Sequence, residues 1–349
     1  LCYLMNCMTQ LGYGVTFMAD NRSHAGSYTT SLQQAGIEVI YSPWADSLQQ
    51  FFADRGAEFD FVMISRHYIA SNYLSLIRRH CPGAKFIFDT VDLHYLREER
   101  MAELEDSLPL KRTAAQTRRS ELAVIEAADA TIVVSPVEKT VLEEAAPGAK
   151  VHVISNVHEV TGSQCSFQKR KDIFFVGGYQ HPPNIDAATW FVGEIWPLVR
   201  KELPDIEFHL IGSKAPEQIR ALNGNGVRFH GFVKTLEPWL DGCRMAVAPL
   251  RYGAGIKGKV NMSMARGQPV VATPMAVEGM FAKAGHDVLV AESAEAFAAE
   301  VVRLYRDEAL WNRVSEAGLE NVRQYFSVET ATLGLQQLLS SLGEASSPR

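Results

Sequence analysis

The segment APLRYGAGIKGKVNMSMARGQPVVAT, residues 248–273, decides the fold class of this chain. One apolar run ends at Leu250, a stretch rich in glycine and lysine follows, and a second apolar run begins at Pro269. We interpret the two runs as β-strands and predict a helix between them, from about Lys257 to Arg266. A strand, a helix and a second strand in this order form the unit from which parallel α/β sheets are built.

The start of that predicted helix has the features of an anion site. Gly253, Gly255 and Gly258 expose bare backbone there. Lys257 and Lys259 bring positive charge to the same place. Helix N-termini carry unsatisfied N–H groups and the positive end of the helix dipole, and phosphate is their usual ligand. The pattern is not the P-loop G-x-x-x-x-G-K-[ST]. A flexible turn with two solvated lysines has the same spacing, so the residues alone leave both interpretations open.

Strand-like and helical stretches alternate along both halves of the chain, which predicts two parallel α/β sheets. The strand-like runs are YGVTFMA, IEVIYS, FDFVMIS, KFIFDT, TIVVS and KVHVIS, followed by DIFFVGG, IEFHLIG, VRFHGF, RMAVAPL, PVVATP and DVLVA. Longer helical stretches are predicted at about 96–128 and 184–203. The polar segment 156–171 is typical of a linker. Because ligands bind beyond the carboxyl ends of parallel strands, we expect function in the loops that follow the strands.

Composition limits the classes of protein to consider. The 349 residues are enough for two domains, and 47% are apolar, as in globular proteins. A net charge of −6 argues against a nucleic-acid-binding protein. The five cysteines include no C-x-x-C pair, so neither a zinc site nor a disulfide framework is indicated. No run is long enough to span a membrane, and no signal peptide is visible. The chain opens on a helix rather than on a strand, so we expect that an N-terminal strand of the first domain is missing.

Two further stretches follow strand-like runs. Gly177 and Gly178 offer bare backbone to a ligand, and Asn184 can cap the next helix. This site lacks the G-x-G-x-x-G of dinucleotide binding, and a plain turn that contains His181 fits as well. In KFIFDTVDLHYLREER, residues 85–100, Asp92 and His94 follow a strand, and a carboxylate beside an imidazole can relay a proton. A purely structural role for both residues fits equally. Motifs of zinc proteases, α/β-hydrolases and EF-hands, and a D-x-D pair for a divalent metal, are absent from the sequence.

The second half of the chain resembles the donor-binding domain of the family-4 retaining glycosyltransferases (glycosyl transferase group 1), which have the GT-B fold. The resemblance is carried by FFVGGYQHPPNIDAATWFVGEIWPLV, IEFHLIGS, VRFHGFV, APLRYGAGIKGKV and MARGQPVVATPMAVEGM. In the first half it is looser, through LGYGVTFM, FDTVDLHYLREER and ATIVVSPVEKTVL. It implies two doubly wound, Rossmann-like domains that face a central cleft. We place them at 1–157 (acceptor side) and 158–328 (nucleotide-sugar donor side), and we expect the helix in 329–349 to cross back to the first domain ahead of a polar tail.

The resemblance also implies roles for individual residues. Lys257 and Lys259 match the positions that stabilise the leaving nucleoside diphosphate. Asp92 or His94 matches the region that acts on the sugar and the acceptor. Backbone near Phe232 faces the nucleobase, and the two glycines lie near the diphosphate. The implied donor-binding residues are Gly177, Gly178, His181, Asn184, Phe232, Val233, Gly255, Asn261, Ser263 and Glu278.

Two departures from the family pattern concern the donor site and the first domain. Ala254 and Met262 stand where such enzymes commonly carry two glutamates, and a methionine cannot accept a ribose hydroxyl's hydrogen bond as a carboxylate does. Asn261 or Ser263 is the candidate substitute. The second departure is the expected absence of the first strand and its glycine-rich loop.

We therefore expect an enzyme that moves a hexose from a nucleotide-sugar to a hydroxyl of a glycan or glycolipid, with retention, in cell-surface polysaccharide or glycan synthesis. No cofactor and no metal are expected, since lysines replace the cation. The expected partners are the donor and a glycan or lipid-linked acceptor, with no nucleic acid. The expected location is cytoplasmic, and association with the membrane surface or with a longer multidomain chain stays open. The alternatives are a non-catalytic nucleotide-sugar- or glycan-binding GT-B domain and a GT-B epimerase.

Overall fold

The computed structural model describes residues 1–45, 47–163 and 165–343 of the chain. It divides into two compact units, which are described separately below. Unit 1 consists of Leu1–Val157 and Val328–Arg349, and unit 2 consists of His158–Ser327. Of the predicted polar tail, residues 344–349 lie outside the described residues.

Unit 1 contains six strands and eight helices within the described part of the chain. The strands are β1 (Thr16–Met18), β2 (Glu38–Ile40), β3 (Phe61–Ser65), β4 (Lys85–Asp89), β5 (Ala130–Val133) and β6 (Val151–Val153). The helices are α1 (Cys2–Gln10), α2 (Ser27–Gln34), α3 (Leu48–Arg55), α4 (His67–His80), α5 (His94–Leu104), α6 (Leu108–Ala127), α7 (Pro136–Ala145) and, at the end of the chain, α16 (Val328–Ser341).

The stretch 96–128, predicted as one helical region, forms the two helices α5 and α6. The hydroxyl of Ser107 accepts a hydrogen bond from the Leu110 N–H, and Pro109 occupies the first turn of α6. Both features start a new helix, because a capping hydroxyl satisfies a free N–H and proline loses nothing in the first turn.

The strands of unit 1 form two parallel sheets rather than one. Strands β3, β4, β5 and β6 pair in that order, whereas β1 pairs with β2. A cavity of about 460 Å³ is lined by residues of β1 and β3, among them Phe17 and Phe61. Strands must lie about 4.8 Å apart to share hydrogen bonds, and this cavity separates the two edges.

The helix α16 packs on the four-stranded sheet of unit 1. Its buried Leu335 and Leu338 share a cluster with Leu4 of α1 and with Ile87 and Ile132 of β4 and β5. The last described helix therefore contributes core residues to the unit that contains the first helix.

Unit 2 contains the remaining elements, in which each strand is followed by one or two helices. The strands are β7 (Ile173–Val176), β8 (Phe208–Ile211), β9 (Val227–Gly231), β10 (Met245–Ala248), β11 (Val270–Ala272) and β12 (Leu289–Val290). The helices are α8 (Pro182–Trp190), α9 (Trp196–Glu202), α10 (Glu217–Arg220), α11 (Glu237–Gly242), α12 (Gly258–Ala265), α13 (Pro274–Val277), α14 (Ala294–Arg306) and α15 (Glu308–Tyr325). A π-helical turn, Phe191–Ile195, joins α8 to α9 across the predicted stretch 184–203.

The sheet of unit 2 is parallel, with the strand order β12-β11-β10-β7-β8-β9. The chain moves outward from β7 through β8 to β9, and then returns to the other side of β7 for β10. This reversal makes the β7–β10 pair the topological switch point, where open α/β sheets bind ligands. Strand β10 is buried along its whole length, as expected for a central strand with covered faces.

The predicted α/β class is confirmed: each of the twelve strand-like runs overlaps a β-strand, and all the strand pairs between named strands are parallel in the described part of the chain. None of the described helices is both long enough and apolar enough to cross a membrane.

Candidate functional site

The loops after β7 and β10 meet at the switch point of unit 2. The loop after β7 contains Gly177 and Gly178 and leads into α8. The loop after β10 contains Gly253 and Gly255 and leads into α12, which begins at Gly258. Two helix N-termini therefore follow two adjacent strands, and both bring the positive end of a helix dipole to this edge of the sheet.

Asn184 fastens the first of these loops. Its Nδ2 donates a hydrogen bond of 2.8 Å to the Gly178 carbonyl, and its side chain is largely buried. A Cβ on Gly177 would lie 2.7 Å from Asn184 Cγ, and one on Gly212 would lie 1.9 Å from the Gly177 carbonyl oxygen. Only glycine fits at these two positions without a shift, because backbone and an anchored side chain approach so closely.

Lys259 joins the two loops. Its Nζ donates a hydrogen bond to Oδ1 of Asn184, and it lies 4.2 Å from the centroid of the Phe175 ring on β7. Burial lowers the pKa of Lys259 to about 7, with a smaller contribution from the charge of Lys257. The residue as a whole is partly exposed, although its charged group is buried. A negative charge that arrives beside such an amine raises its pKa, so that the neutral amine gains a proton.

Lys257 has a different environment from Lys259. Its Nζ donates hydrogen bonds to the carbonyls of Gly255 at 2.7 Å and Ala254 at 3.2 Å, and the residue is 8% exposed. A Cβ on Gly253 would lie 3.3 Å from the Lys257 Cε. Lys257 therefore holds the glycine-rich loop in shape, while its charge remains next to the N-terminus of α12.

An ion pair at the same edge was not predicted from the sequence. Arg251, in the loop after β10, forms a two-point ion pair with Asp186 of α8, and its guanidinium lies 5.6 Å from the centroid of the Trp190 ring. The partners are 65 positions apart in the sequence, and no local pattern signals such a pair.

Other predicted donor residues occupy different positions around unit 2. Phe232 follows β9 and is 73% exposed, with the partly buried Val233 beside it. His181 lies in the exposed turn before α8. Glu278 follows α13, beyond the end of β11.

Asn261 and Ser263, the candidate substitutes for a ribose-binding carboxylate, are completely buried in α12. Both amide atoms of Asn261 and the hydroxyl of Ser263 are without hydrogen-bond partners among the described residues. Neither side chain is open to a ligand in this structure, so a ribose contact by either residue stays a prediction.

In unit 1, Asp92 and His94 lie together at the carboxyl end of β4. The His94 Nδ1 lies 3.0 Å from the Asp92 carbonyl oxygen and 3.6 Å from its Oδ1, and Arg97 forms an ion pair with the same carboxylate. Burial opposes the charging of His94. The hydrogen bond to Glu121 and the charges of Asp92 and Glu121 outweigh burial and raise the pKa of His94.

The backbone around Asp92 and His94 is strained. Arg66, after β3, has φ 77°, and Val91, after β4, has φ 67°. Positive φ is a sparsely populated conformation for a β-branched residue, and such strain clusters at functional sites. Asp89 holds both positions: its carbonyl accepts from the Arg66 N–H at 2.9 Å, and its Oδ1 accepts from the Val91 N–H at 3.1 Å.

Two buried glutamates that the sequence analysis missed support the start of α5. Glu138 Oε1 accepts a hydrogen bond of 2.9 Å from the Leu93 N–H, and Glu121 Oε2 accepts one of 3.0 Å from the Tyr95 N–H. Both glutamates are at most 1% exposed. Their positions in the middle and at the start of helices follow no motif, so the sequence offered no signal for them.

The structure thus brings the predicted residues together in two groups. Unit 2 joins Gly177, Gly178, Asn184 and Lys259, with Lys257 and Gly255 in the adjoining loop, and unit 1 joins Asp92 and His94. The first group presents bare backbone, helix N-termini and two lysines, which together suit a phosphate group. The second group offers a carboxylate and an imidazole for proton transfer or hydrogen bonding.

Comparison with known proteins identifies the domain in unit 2. Residues 170–307 match the family model described as "Glycosyl transferases group 1". An uncharacterized 44.6 kDa protein in the cps region of Klebsiella pneumoniae is 26% identical over 140 residues. That match covers 38% of this chain and 36% of the relative, so the chain matches about a third of the length of this curated relative.

Nearly the whole chain is similar in fold to several solved structures. Sucrose-phosphate synthase from Thermosynechococcus elongatus has a TM-score of 0.75 at 16% identity, over 97% of this chain and 91% of that one. The Anabaena protein HepE, solved with UDP and glucose, has a TM-score of 0.71 at 15% identity, over 97% and 95%. At these identities the likeness concerns the fold, and it confirms the predicted GT-B architecture. Residues 170–307 therefore match a glycosyl transferases group 1 domain, and the chain has a GT-B fold.

Proposed function

We propose that this chain is a nucleotide-sugar-dependent glycosyltransferase, which moves a hexose to a hydroxyl of a glycan or glycolipid. The match of residues 170–307 to the glycosyl transferases group 1 model supports this reaction class. The observation that carries the proposal is the contact of Lys259 with Asn184 at the switch point, beside Gly177 and Gly178. It brings a lysine, bare backbone and two helix N-termini to one edge of the sheet.

In this reaction the bond between the anomeric carbon and the diphosphate oxygen breaks, and a bond to the acceptor hydroxyl oxygen forms. Negative charge develops on the departing diphosphate, and the proton of the acceptor hydroxyl passes to the departing diphosphate oxygen. In our proposal Lys259 and the N-terminus of α12 stabilise that charge, which is usually the largest contribution to catalysis. Lys257 keeps the loop in shape and adds charge close by.

Asp92 and His94 are assigned to the sugar and the acceptor, and transfer is proposed to proceed with retention of the anomeric configuration. We propose that transfer needs no metal ion, because two lysines and two helix dipoles supply the positive charge that a cation would otherwise provide. A raised pKa suits His94 to hold a proton near the reacting hydroxyls.

The proposed donor is a UDP-sugar, and the proposed process is the synthesis of a cell-surface polysaccharide on the cytoplasmic side of the membrane. HepE, which shares the fold, was solved with UDP and glucose. The curated relative is described as a protein in the cps region. A glycan or lipid-linked acceptor follows from this process, and peripheral membrane association is compatible with it.

The test is to incubate the full chain with UDP-, GDP- and dTDP-hexoses, in the presence of EDTA and a glycan acceptor mixture. Nucleoside diphosphate and the glycosylated product are then measured separately. We expect equal amounts of both products with one donor, and a large loss with Lys259→Ala. Release of nucleotide without sugar transfer would favour the epimerase alternative.

A non-catalytic nucleotide-sugar-binding domain is the second candidate. Met262 and Ala254 at the usual glutamate positions, together with the complete burial of Asn261 and Ser263, favour it. This candidate predicts nucleotide binding that depends on Lys259 with no turnover of any donor, so the same experiment separates the two functions.

A further inference from the structure

A cluster of two imidazoles and one carboxylate lies in unit 1. His67 is the first residue of α4, His94 is the first residue of α5, and Glu121 lies within α6. One ligand atom from each of these side chains lies within 4.8 Å of the other two. The rings of His67 and His94 meet edge to face, with their centroids 5.0 Å apart.

Two buried polar atoms of this cluster are incompletely satisfied. His67 Nδ1 is without a hydrogen-bond partner among the described residues, and Glu121 Oε1 has only a long contact of 3.4 Å, with His94 Nδ1, among the contacts that the described residues make with it. An unsatisfied buried polar atom costs about 1–3 kcal/mol, and more when it is charged. Arg97, a cation close to the cluster, already forms an ion pair with Asp92. A ligand that accepts electron pairs from both the imidazole nitrogen and the carboxylate would satisfy these atoms together.

The separations fit a small divalent metal ion. In tetrahedral zinc sites the bonds to nitrogen and oxygen are about 2.0–2.2 Å, which places neighbouring ligand atoms roughly 3.4 Å apart. His94 Nδ1 and Glu121 Oε1 are 3.4 Å apart. The ligand atoms of all three side chains lie within 4.8 Å of one another, so a small shift of the His67 ring would complete the site around the ion.

We propose that His67, His94 and Glu121 bind Zn²⁺, with the fourth position left to water. Two imidazoles and a carboxylate are a donor set that zinc prefers over magnesium or calcium. When Nδ1 of His94 binds the ion, its hydrogen bond to the Asp92 carbonyl is broken, the Nδ1 proton is released to solvent, and the imidazole is neutral.

This site goes beyond the proposed function, and the ion is not a cofactor of sugar transfer. The His94 imidazole serves both the zinc site and the proposed acceptor chemistry. Zinc would therefore withdraw His94 from that chemistry and act as a reversible inhibitor.

The experiment measures Zn²⁺ binding by the full, chelator-treated chain in competition with a chromophoric chelator, so that no transferase activity is required. Cys2 is an exposed thiol, and a Cys2→Ser background removes its contribution. In that background we expect one equivalent of Zn²⁺ to bind with submicromolar affinity. His67→Gln and Glu121→Gln should each weaken binding at least about 10- to 100-fold. The matched control His24→Gln changes an exposed histidine of the same unit and should leave the affinity within about twofold.

His67→Gln is the decisive variant, because a substitution at a half-buried position is the one expected to leave the fold intact. Circular dichroism would verify that this variant folds. If Glu121→Gln does not fold, the test rests on His67→Gln alone. X-ray absorption at the zinc edge should show nitrogen and oxygen ligands without sulfur. Unchanged affinity in His67→Gln, sulfur ligation, or no binding below about 10 µM would overturn the zinc site, and the orphaned atoms would then be satisfied by water. None of these outcomes depends on whether the chain transfers sugar.

Discussion

Lys259 of α12 donates a hydrogen bond to Oδ1 of Asn184 in α8, and thereby links the loops that follow two adjacent strands. The Nδ2 of the same asparagine donates to the Gly178 carbonyl. One amide therefore fixes both a lysine and a glycine turn. A ligand phosphate at this edge would replace Asn184 as the acceptor for Lys259, and the loops would keep their positions through Asn184 and Lys257.

The first prediction concerns stability as a function of pH. Burial lowers the pKa of Lys259 to about 7, whereas an unfolded lysine titrates near 10.5. Below pH 7 the folded chain must bury a charged ammonium, and this penalty declines as pH rises from 7 toward 10.5. Lys259→Met removes the penalty, so its melting temperature should exceed that of the wild type by about a few degrees at pH 6, and by less at pH 9.

The matched control for this experiment is Lys201→Met, which changes an exposed lysine in α9. It should show no such pH-dependent difference in thermal unfolding. An advantage of Lys259→Met that stays constant from pH 6 to pH 9 would show that Lys259 has an ordinary pKa.

The second prediction is that nucleoside diphosphate binding takes up a proton. At pH 8 Lys259 is mostly neutral in the free chain, and a bound diphosphate favours its charged form. Calorimetric titration in buffers of different ionisation enthalpy should show that binding takes up nearly one proton at pH 8 and almost none near pH 5.5. Lys259→Arg stays charged at both pH values, so it should bind the nucleotide without taking up this proton. Equal proton uptake by the wild type and Lys259→Arg would rule out Lys259 as the group that is protonated.

The third prediction separates the two lysines. Lys257 donates to two carbonyls of its own loop, so Lys257→Ala leaves both acceptors without this partner and should lower stability by about 1–3 kcal/mol. Lys259→Ala should instead lower turnover more than it weakens substrate binding, because its charge acts on the departing diphosphate. Urea unfolding and steady-state kinetics on both variants test this division, and identical profiles for the two variants would contradict it.

The alternation of strands and helices was predictable because each strand is a short apolar run bounded by glycine or polar residues. The separation of β1 and β2 from the larger sheet was not, because strand pairing depends on distant parts of the chain. The glycines and lysines at 253–259 were visible as a local pattern. Their distinct roles were not, because the partner of Lys259 lies 75 positions away at Asn184.

The site in unit 1 was likewise only partly predictable from the sequence. Asp92 and His94 stand out in the sequence because they follow a strand-like run. Glu121 and Glu138, which bond to the start of α5, come from other helices and resemble ordinary helical glutamates. Burial of Asn261 and Ser263 was equally hidden, since polar residues after a glycine-rich loop are usually read as exposed.

The fourth prediction concerns His94. If it acts on the sugar or the acceptor, His94→Gln should lower turnover by about 100-fold or more, while the dissociation constant for the nucleoside diphosphate stays within about twofold. Turnover and calorimetric binding measured on the same preparation test this expectation, with His24→Gln as the control. A variant that loses stability and turnover in parallel, and regains both at lower temperature, would show that His94 is structural.

The central claim is that unit 2 binds the diphosphate of a nucleotide-sugar at Lys259 and Asn184. The most direct measurement is calorimetric titration of the full chain with UDP, GDP, dTDP and CDP at pH 6.5, beside Lys259→Met and Lys201→Met. We predict that one nucleotide binds to the wild type and to Lys201→Met with equal affinity. Loss of a charge-assisted hydrogen bond worth about 1.5–3 kcal/mol should weaken binding to Lys259→Met by tenfold or more. Binding that is unchanged in Lys259→Met, or absent for every nucleotide in the wild type, would contradict the claim.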